Sequence, residues 1–238
     1  YRKWHQNLLT FSLMYAFSEN FVLPFSHDEV VHGKRSMLNK MFGSYEERFA
    51  QLRLLYGYMI THPGKKLLFM GNEFAQCDEW KDEQGLDWNL LDFPTHAGVK
   101  AYLGRLITLY KREPALWELD SSPEGFEWID ADNADQSILS FIRKGKKASD
   151  FLIIVCNFTP VHYPVFEIGV PKEGEYAEIF SSDLMEYAAD GAHTVEKLIS
   201  AAKPRHNRSY SLALEMTPFA FKIFKPAQKH KKNKEKLL

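Results

Sequence analysis

In the first half of the chain, the spacing of hydrophobic residues predicts a strand, a helix and a second strand. Residues 21–25 and 66–70 are short, largely apolar runs, which are typical of buried strands. Between them, apolar residues recur every three or four positions from 45 to 59, as on one face of a helix. Ser44 and Glu47 have the spacing of a capping box at its start. Because the connections are short, this strand-helix-strand unit is predicted to pair its strands in parallel.

Two further segments flank this unit. Residues 8–17 are mostly apolar, and a run of this length is compatible with either a buried strand or a short helix. On the other side, apolar residues at helical spacing predict a second helix that Thr95 caps and that ends at Glu113 and Pro114.

After about Leu119 the pattern changes to short β-rich runs separated by Asp, Asn, Gly and Pro, which indicates an antiparallel β-sandwich. The predicted strands are 126–129, 137–143, 151–157, 163–168, 176–180, 210–214 and 220–224. The pattern therefore divides the chain into 1–116, a β domain at 117–226 and a basic tail at 227–238 that we expect to be disordered.

Composition narrows the class of protein. The 238 residues carry a formal net charge of −1, which gives no general reason to expect a nucleic acid or an anionic membrane as partner. No apolar run is as long as a membrane span. The two cysteines, Cys77 and Cys156, imply no disulfide framework, which suits a reducing cytoplasm. Tyr1 is not an initiator Met, so we expect a fragment of a longer protein.

The first predicted strand is followed by a dense polar cluster. Its members are Ser26, His27, Asp28, Glu29, His32 and Lys34. Catalytic residues follow the strands of an α/β barrel in this way, although a solvated loop gives the same pattern. A zinc helix needs two His four positions apart, and here they are five apart, so we expect no metal.

Asp28 and Glu73 each follow a predicted strand, and glycosidic bond chemistry generally uses two carboxylates.

Three segments of this sequence resemble a known family. FSHDEVVHGK at 25–34, KKLLFMGNEFAQ at 65–76 and GLDWNLLD at 85–92 closely resemble bacterial 1,4-α-glucan (glycogen) branching enzymes of the α-amylase superfamily. The resemblance extends to about Pro226 and covers the C-terminal portion of that longer family. It implies an α/β plus all-β fold, in which the C-terminal part of a (β/α)8 barrel is followed by an antiparallel β-sandwich. It also favours a barrel strand at 8–17.

The resemblance also implies roles for individual residues. Asp28 matches a carboxylate that stabilises the transition state, and His27 matches a His that binds a sugar hydroxyl. The nucleophile and the general acid of the family precede Tyr1, so Glu73 is expected to close a hydrogen-bond network below the site. Substrate contacts are expected from five more residues, with a solvated loop or a core position as the alternative for each: Glu29, His32, Lys34 and the two tryptophans Trp80 and Trp88.

The implied reaction breaks an α-1,4 bond of a glucan and transfers the chain to a 6-hydroxyl, without metal or organic cofactor. The implied partners are the α-glucan substrate and the missing N-terminal barrel portion of the same enzyme. Without that portion, we expect 1–115 to associate, aggregate or rearrange. Two alternatives remain open, a non-catalytic glucan-binding fragment and an amylase-like α-glucan hydrolase.

Overall fold

The structure is a computed structural model that describes residues 2–20, 22–187 and 197–227. It opens with two short helices, α1 (Gln6–Thr10) and α2 (Ala16–Glu19), joined by the 3-10 turn Phe11–Met14. The expectation of a barrel strand at 8–17 was therefore wrong, and the alternative of a short helix is confirmed. The backbone of this segment closes local hydrogen bonds instead, such as the bond from the Tyr15 amide to the Ser12 carbonyl (3.3 Å).

The predicted strand-helix-strand unit is present. Strand β1 (Val22–Phe25) pairs in parallel with β2 (Lys65–Leu68), and helix α3 (Tyr45–Thr61) connects them. The capping box predicted at the start of α3 is formed, since the Ser44 side chain accepts from the Glu47 amide and the Glu47 side chain accepts from the Ser44 amide. Both strands alternate exposed and half-buried positions, so the expectation that they are buried was wrong.

Helix α4 (Pro94–Arg112) follows the long irregular segment after β2. It begins one residue before the predicted cap, because Pro94 occupies the first turn, where its missing N–H costs no hydrogen bond. The Thr95 hydroxyl does not cap the helix but lies 2.8 Å from the Tyr45 hydroxyl on α3. The helix ends at Arg112 with Glu113 as its C-cap, as predicted. The Tyr102 hydroxyl donates to the Arg53 carbonyl of α3, 2.8 Å away.

The remaining strands form two antiparallel sheets, as predicted for a sandwich. The strands are β3 (Phe126–Asp130), β4 (Ile138–Lys144), β5 (Phe151–Asn157), β6 (Tyr163–Val170), β7 (Glu175–Ser181), β8 (Lys197–Ile199), β9 (Tyr210–Met216) and β10 (Phe221–Pro226). A six-stranded sheet has the order β3-β4-β5-β10-β7-β8, and a two-stranded sheet pairs β6 with β9. The strand β8 was not predicted, and the basic tail lies outside the described residues.

The larger sheet is buried on both faces. Along β4, Ile138 and Ile142 belong to the apolar cluster shared with β6 and β9. The alternate residues Leu139 and Phe141 belong to the cluster shared with α3 and α4. The two-residue period of a strand sends these sets to opposite faces, which explains why β4 and β5 are almost continuously buried.

Arg143 on β4 connects the sandwich to the helices. Its fully buried guanidinium donates to the Thr61 carbonyl at the end of α3 (2.5 Å), to the Leu116 carbonyl (3.1 Å) and to the Asp120 carboxylate (2.8 Å). Buried charges are tolerated when they are paired and hydrogen-bonded in this way. One side chain thus fixes the end of a helix, a connecting loop and a central strand together.

No helix in the described ranges is long and apolar enough to cross a membrane. Cys77 and Cys156 are both free, and Cys156 lies in the buried core.

Candidate active site

The polar cluster begins immediately after β1. His27, Asp28 and Glu29 form a single 3-10 turn, which is closed by the bond from the Val30 amide to the His27 carbonyl (2.9 Å). The parallel ladder continues one step beyond the strands, since the Phe69 amide donates to the Phe25 carbonyl at 2.8 Å. Because parallel strands end on the same side of a sheet, the turn after β1 and the turn after β2 lie at one edge.

His27 and Asp28 form the exposed centre of this edge. His27 Nε2 lies 3.3 Å from Asp28 Oδ1, and their side chains are 52% and 69% exposed. The imidazole ring rests against the rings of Phe69 and Trp80, with centroids 6.0 Å away in each case. The Trp80 amide donates to the Val30 carbonyl at 2.8 Å, which holds the tryptophan under the turn. The His27–Asp28 pair therefore rests on aromatic rings and is open to solvent on its other side.

The loop after this turn is held by an acid that the sequence analysis did not identify. Glu79 accepts from the amides of Gly33 (3.0 Å) and Arg35 (2.6 Å), and it lies 3.5 Å from His32 Nδ1. These amide hydrogen bonds lower the pKa of Glu79, with smaller contributions from neighbouring cations. The partners are 44 and 46 residues away in sequence, so no local signal marks Glu79.

The other predicted loop residues point in different directions. Glu29 is half-buried and its carboxylate lies 3.5 Å from Lys40 Nζ, so it is partly neutralised. His32 and Lys34 are exposed, and His32 contacts Glu79 at the loop surface. The structure therefore brings His27, Asp28 and Glu29 together in one turn and leaves His32 and Lys34 farther out along the loop.

Glu73 occupies the corresponding turn after β2, Asn72–Phe74, and is half-buried. The pKa of the Tyr56 hydroxyl is raised by its burial and further by the charge of Glu73, which places the carboxylate near that ring. The hydroxyl itself donates to the Asn72 carbonyl at 2.8 Å. The Asn72 side-chain amide donates to the Phe25 carbonyl (3.3 Å), so the turn after β2 is bonded back to β1.

The two tryptophans have different surroundings. Trp80 packs edge-on against Phe69 at 5.3 Å and lines a cavity of about 20 Å³, which holds about one water molecule and no sugar ring. Trp88 is 55% exposed and lies tilted on Phe74, with ring centroids 5.1 Å apart. Trp88 therefore has a free ring surface, whereas Trp80 supports His27.

A second unpredicted contact closes the segment between these tryptophans. The Gln76 side chain donates to the Asp87 carboxylate (2.5 Å) and accepts from the Asp87 amide (3.0 Å). The Gln76 side chain thus joins two positions eleven residues apart in a segment without regular structure. This contact could not be predicted from the sequence. Across the described residues, no group of three or more His, Cys, Asp or Glu side chains is arranged to hold a metal ion.

Comparison with known proteins places this geometry in a family context. Residues 128–227 match the family model "Alpha amylase, C-terminal all-beta domain". The chain is 54% identical over 235 residues to a 1,4-alpha-glucan branching enzyme of Bacillus cytotoxicus, covering 99% of this chain and 36% of that relative. It is also 54% identical over 229 residues to the Geobacillus stearothermophilus enzyme of the same name, covering 96% and 36%.

A structural comparison agrees in fold. A pullulanase type I from Bacillus subtilis, solved with maltose, superposes with a TM-score of 0.59 at 13% identity, covering 87% of this chain and 27% of that one. The chain spans about a third of the length of the curated relatives that it matches. The chain is therefore similar to the C-terminal region of bacterial 1,4-α-glucan branching enzymes, and its residues 128–227 match an alpha amylase C-terminal all-beta domain.

Proposed function

We propose that this chain is part of a 1,4-α-glucan branching enzyme that acts in glycogen synthesis in the cytoplasm. Such an enzyme cleaves an α-1,4 bond of a glucan and transfers the chain to a 6-hydroxyl, which creates an α-1,6 branch. The observation that carries the proposal is the exposed His27–Asp28 pair at the end of a parallel strand, in a chain 54% identical to enzymes of that name. Carboxylates in this position perform chemistry in barrel enzymes.

We further propose that residues 1–116 are the last part of a (β/α)8 barrel. In support, β1 and β2 are parallel and connected by α3, and α4 follows, which is the repeating order of such a barrel. Large apolar side chains are left exposed around these strands, as expected for surfaces that the other barrel strands cover. These side chains are Trp4, Leu8, Phe11, Met14, Val22 and Leu67.

In this proposal Asp28 stabilises the transition state. Cleavage leaves positive charge on the anomeric carbon, and an anionic carboxylate beside it is favourable. The Nε2 of His27 lies 3.3 Å from Asp28, so the imidazole and the carboxylate can bind neighbouring sugar hydroxyls together. The nucleophile and the general acid come from the preceding part of the enzyme. That chemistry requires neither a metal nor an organic cofactor.

The remaining site residues divide by position. Trp88 is proposed to stack on a glucose ring, because its ring is more than half exposed. His32 and Lys34 are proposed to contact the glucan along the loop. Glu29 is proposed to contact it as well, next to the ion pair that Glu29 forms with Lys40. Trp80 and Glu73 are proposed to act beneath the substrate, Trp80 by supporting His27.

The test uses amylose as substrate and measures new α-1,6 linkages by debranching. We expect no product from this chain alone and branching from a version extended upstream to the relatives' length. In the extended protein, Asp28→Asn is expected to lower kcat by about a hundredfold or more. Asp135→Asn is the matched control, since Asp135 is 92% exposed and lies on the sandwich.

The outcomes separate this proposal from its alternatives. Branching by the short chain alone would show that nucleophile and acid lie within it, contrary to the proposal. New reducing ends without branches would indicate an α-glucan hydrolase. Glucan binding without turnover by the extended protein would indicate a binding module. Equal kcat for the two Asp variants would remove Asp28 from the chemistry.

A further inference from the structure

A thiol and an imidazole lie in contact outside the proposed active site. Cys77 Sγ is 3.9 Å from His96 Nε2, a distance within the range for a sulfur hydrogen bond. Cys77 is half-buried in the segment after β2, whereas His96 is buried in the first turn of α4. None of the roles proposed above uses this pair.

The orientation of the imidazole determines which nitrogen faces the sulfur as an acceptor. His96 Nδ1 lies 2.9 Å from the Phe74 carbonyl oxygen. A carbonyl only accepts, so Nδ1 carries the hydrogen, and in the neutral form of the imidazole Nε2 is the acceptor that faces Cys77. The Phe49 ring stands edge-on against the imidazole at 4.9 Å and restricts its rotation. The arrangement is a nucleophile, a base and a group that orients the base.

Cys77 is half-buried and lies beside an open pocket. Cys77 lines an open pocket of about 650 Å³, together with Arg35, Asn39, Phe42 and Arg48. The Asn39 side chain donates to the Cys77 carbonyl (2.6 Å), so the backbone that carries the thiol is fixed. Burial raises the pKa of the Cys77 thiol, the positive charge of Arg48 opposes this in part, and the carboxylates of Asp78 and Asp87 raise it further. The thiol therefore needs a base to react near neutral pH.

We propose that Cys77 is a site of thiol–disulfide exchange with low-molecular-weight disulfides, and that His96 accepts its proton. The proton of Cys77 moves to His96 Nε2, and the sulfur attacks one sulfur of the disulfide. A new S–S bond forms to Cys77 while the old one breaks, and the departing thiolate takes the proton from His96. The products are a mixed disulfide and one free thiol, and the small disulfide is the oxidant.

The other cysteine is an internal reference. Cys156 is completely buried in the central strand β5, and its burial raises the pKa of its thiol. Because its side chain is inaccessible, Cys156 should react only when the chain unfolds.

The experiment exposes the native chain to oxidised glutathione or to dithiobis-nitrobenzoate and follows thiol release, with mass spectrometry to locate the adduct. We expect one modified thiol per native chain, at Cys77, and two after unfolding in urea. Cys77→Ser should abolish the native reaction, whereas Cys156→Ser should retain it. Native modification of Cys156 at the rate of Cys77, or of neither cysteine, would overturn the proposal.

The role of the base is tested with His96→Asn, whose side-chain amide can still donate to the Phe74 carbonyl but offers no basic nitrogen. We expect exchange about a hundredfold slower near neutral pH, with the difference closing in alkali where hydroxide removes the proton. An unchanged rate in a folded variant would refute it. If the variant does not fold, the wild type decides: Cys77 must react faster in the native chain than in the unfolded chain near neutral pH, and slower reaction refutes the proposal.

Discussion

The Cα of Gly57 faces the ring of Phe221 so closely that a Cβ built on Gly57 would lie 2.4 Å from a ring atom. This contact brings helix α3 directly onto strand β10. We expect Gly57→Ala to lower the free energy of unfolding by about 1–3 kcal/mol, because the buried ring must shift to admit the methyl group. Urea unfolding followed by circular dichroism measures the change.

Gly104→Ala is the matched control, because a Cβ on Gly104 meets no atom within 4 Å. Here alanine only reduces backbone freedom, so stability is expected to rise by about 0.5–1 kcal/mol. A loss of stability at both positions would show that the effect at Gly57 does not come from the contact with Phe221.

Asp120→Ala is expected to destabilise the chain by about 3–5 kcal/mol, because it leaves Arg143 buried without its carboxylate partner. Denaturant unfolding measures this loss. As a control, Glu215→Ala removes the partner of His162 at 2.6 Å in a pair that is exposed, and it should cost less than about 1 kcal/mol. Equal costs would mean that burial does not set the strength of the Arg143 pair.

Stability should fall as the pH decreases through the range set by His62. Burial lowers the pKa of this imidazole to about 4 from the usual 6.5, and the charges of Lys66 and Arg143 act in the same direction. The unfolded chain therefore binds a proton that the folded chain rejects. As the pH decreases from the higher to the lower of these two pKa values, the free energy of unfolding should fall by about 3 kcal/mol. Above the higher pKa this loss is absent.

His62→Gln should flatten this part of the stability–pH profile, and urea titrations at several pH values test it. His162→Gln controls for the substitution itself, since it replaces an imidazole that is about half exposed. Lys66 acts in a separate window, because burial lowers its pKa to about 7 from 10.5 and so favours folding at alkaline pH. A profile unaltered by His62→Gln would contradict the assignment.

Ser44→Ala should cost about 1 kcal/mol, since it removes the acceptor for the Glu47 amide at the start of α3. Thr108→Ala is the control, because that exposed hydroxyl only bonds back to the Gly104 carbonyl within α4. Thermal unfolding of the two variants should separate them. A similar loss for both would mean that the cap adds nothing beyond helix propensity.

These contacts show why some elements could be predicted from the sequence. The cap at Ser44 depends on residues three positions apart, and the parallel pairing of β1 and β2 follows from short connections around α3. The turn that holds His27 and Asp28 was likewise expected, because its polar residues come directly after a strand. Such features depend on neighbours in the chain, so a single sequence contains them.

Other features depend on partners far away in sequence. Glu79 binds amides more than forty residues before it, and Gly57 meets a strand at the other end of the chain. The edge strand β8 has three residues, which are too few to show the two-residue period of a strand in the sequence. At 8–17 the hydrophobic run was compatible with a strand or a short helix, and its length could not distinguish between them.

The packing of the larger sheet limits how the β domain can be transferred to another protein. One of its faces is completed by β6 and β9, but the other is completed by α3 and α4. A domain transplanted from residue 117 onward would carry Leu139, Phe141 and Ile154 as an uncovered apolar surface. A protein recombined at residue 117 would therefore aggregate unless the recipient supplied helices that cover this surface. Helices α3 and α4 and the larger sheet thus have to be transferred together.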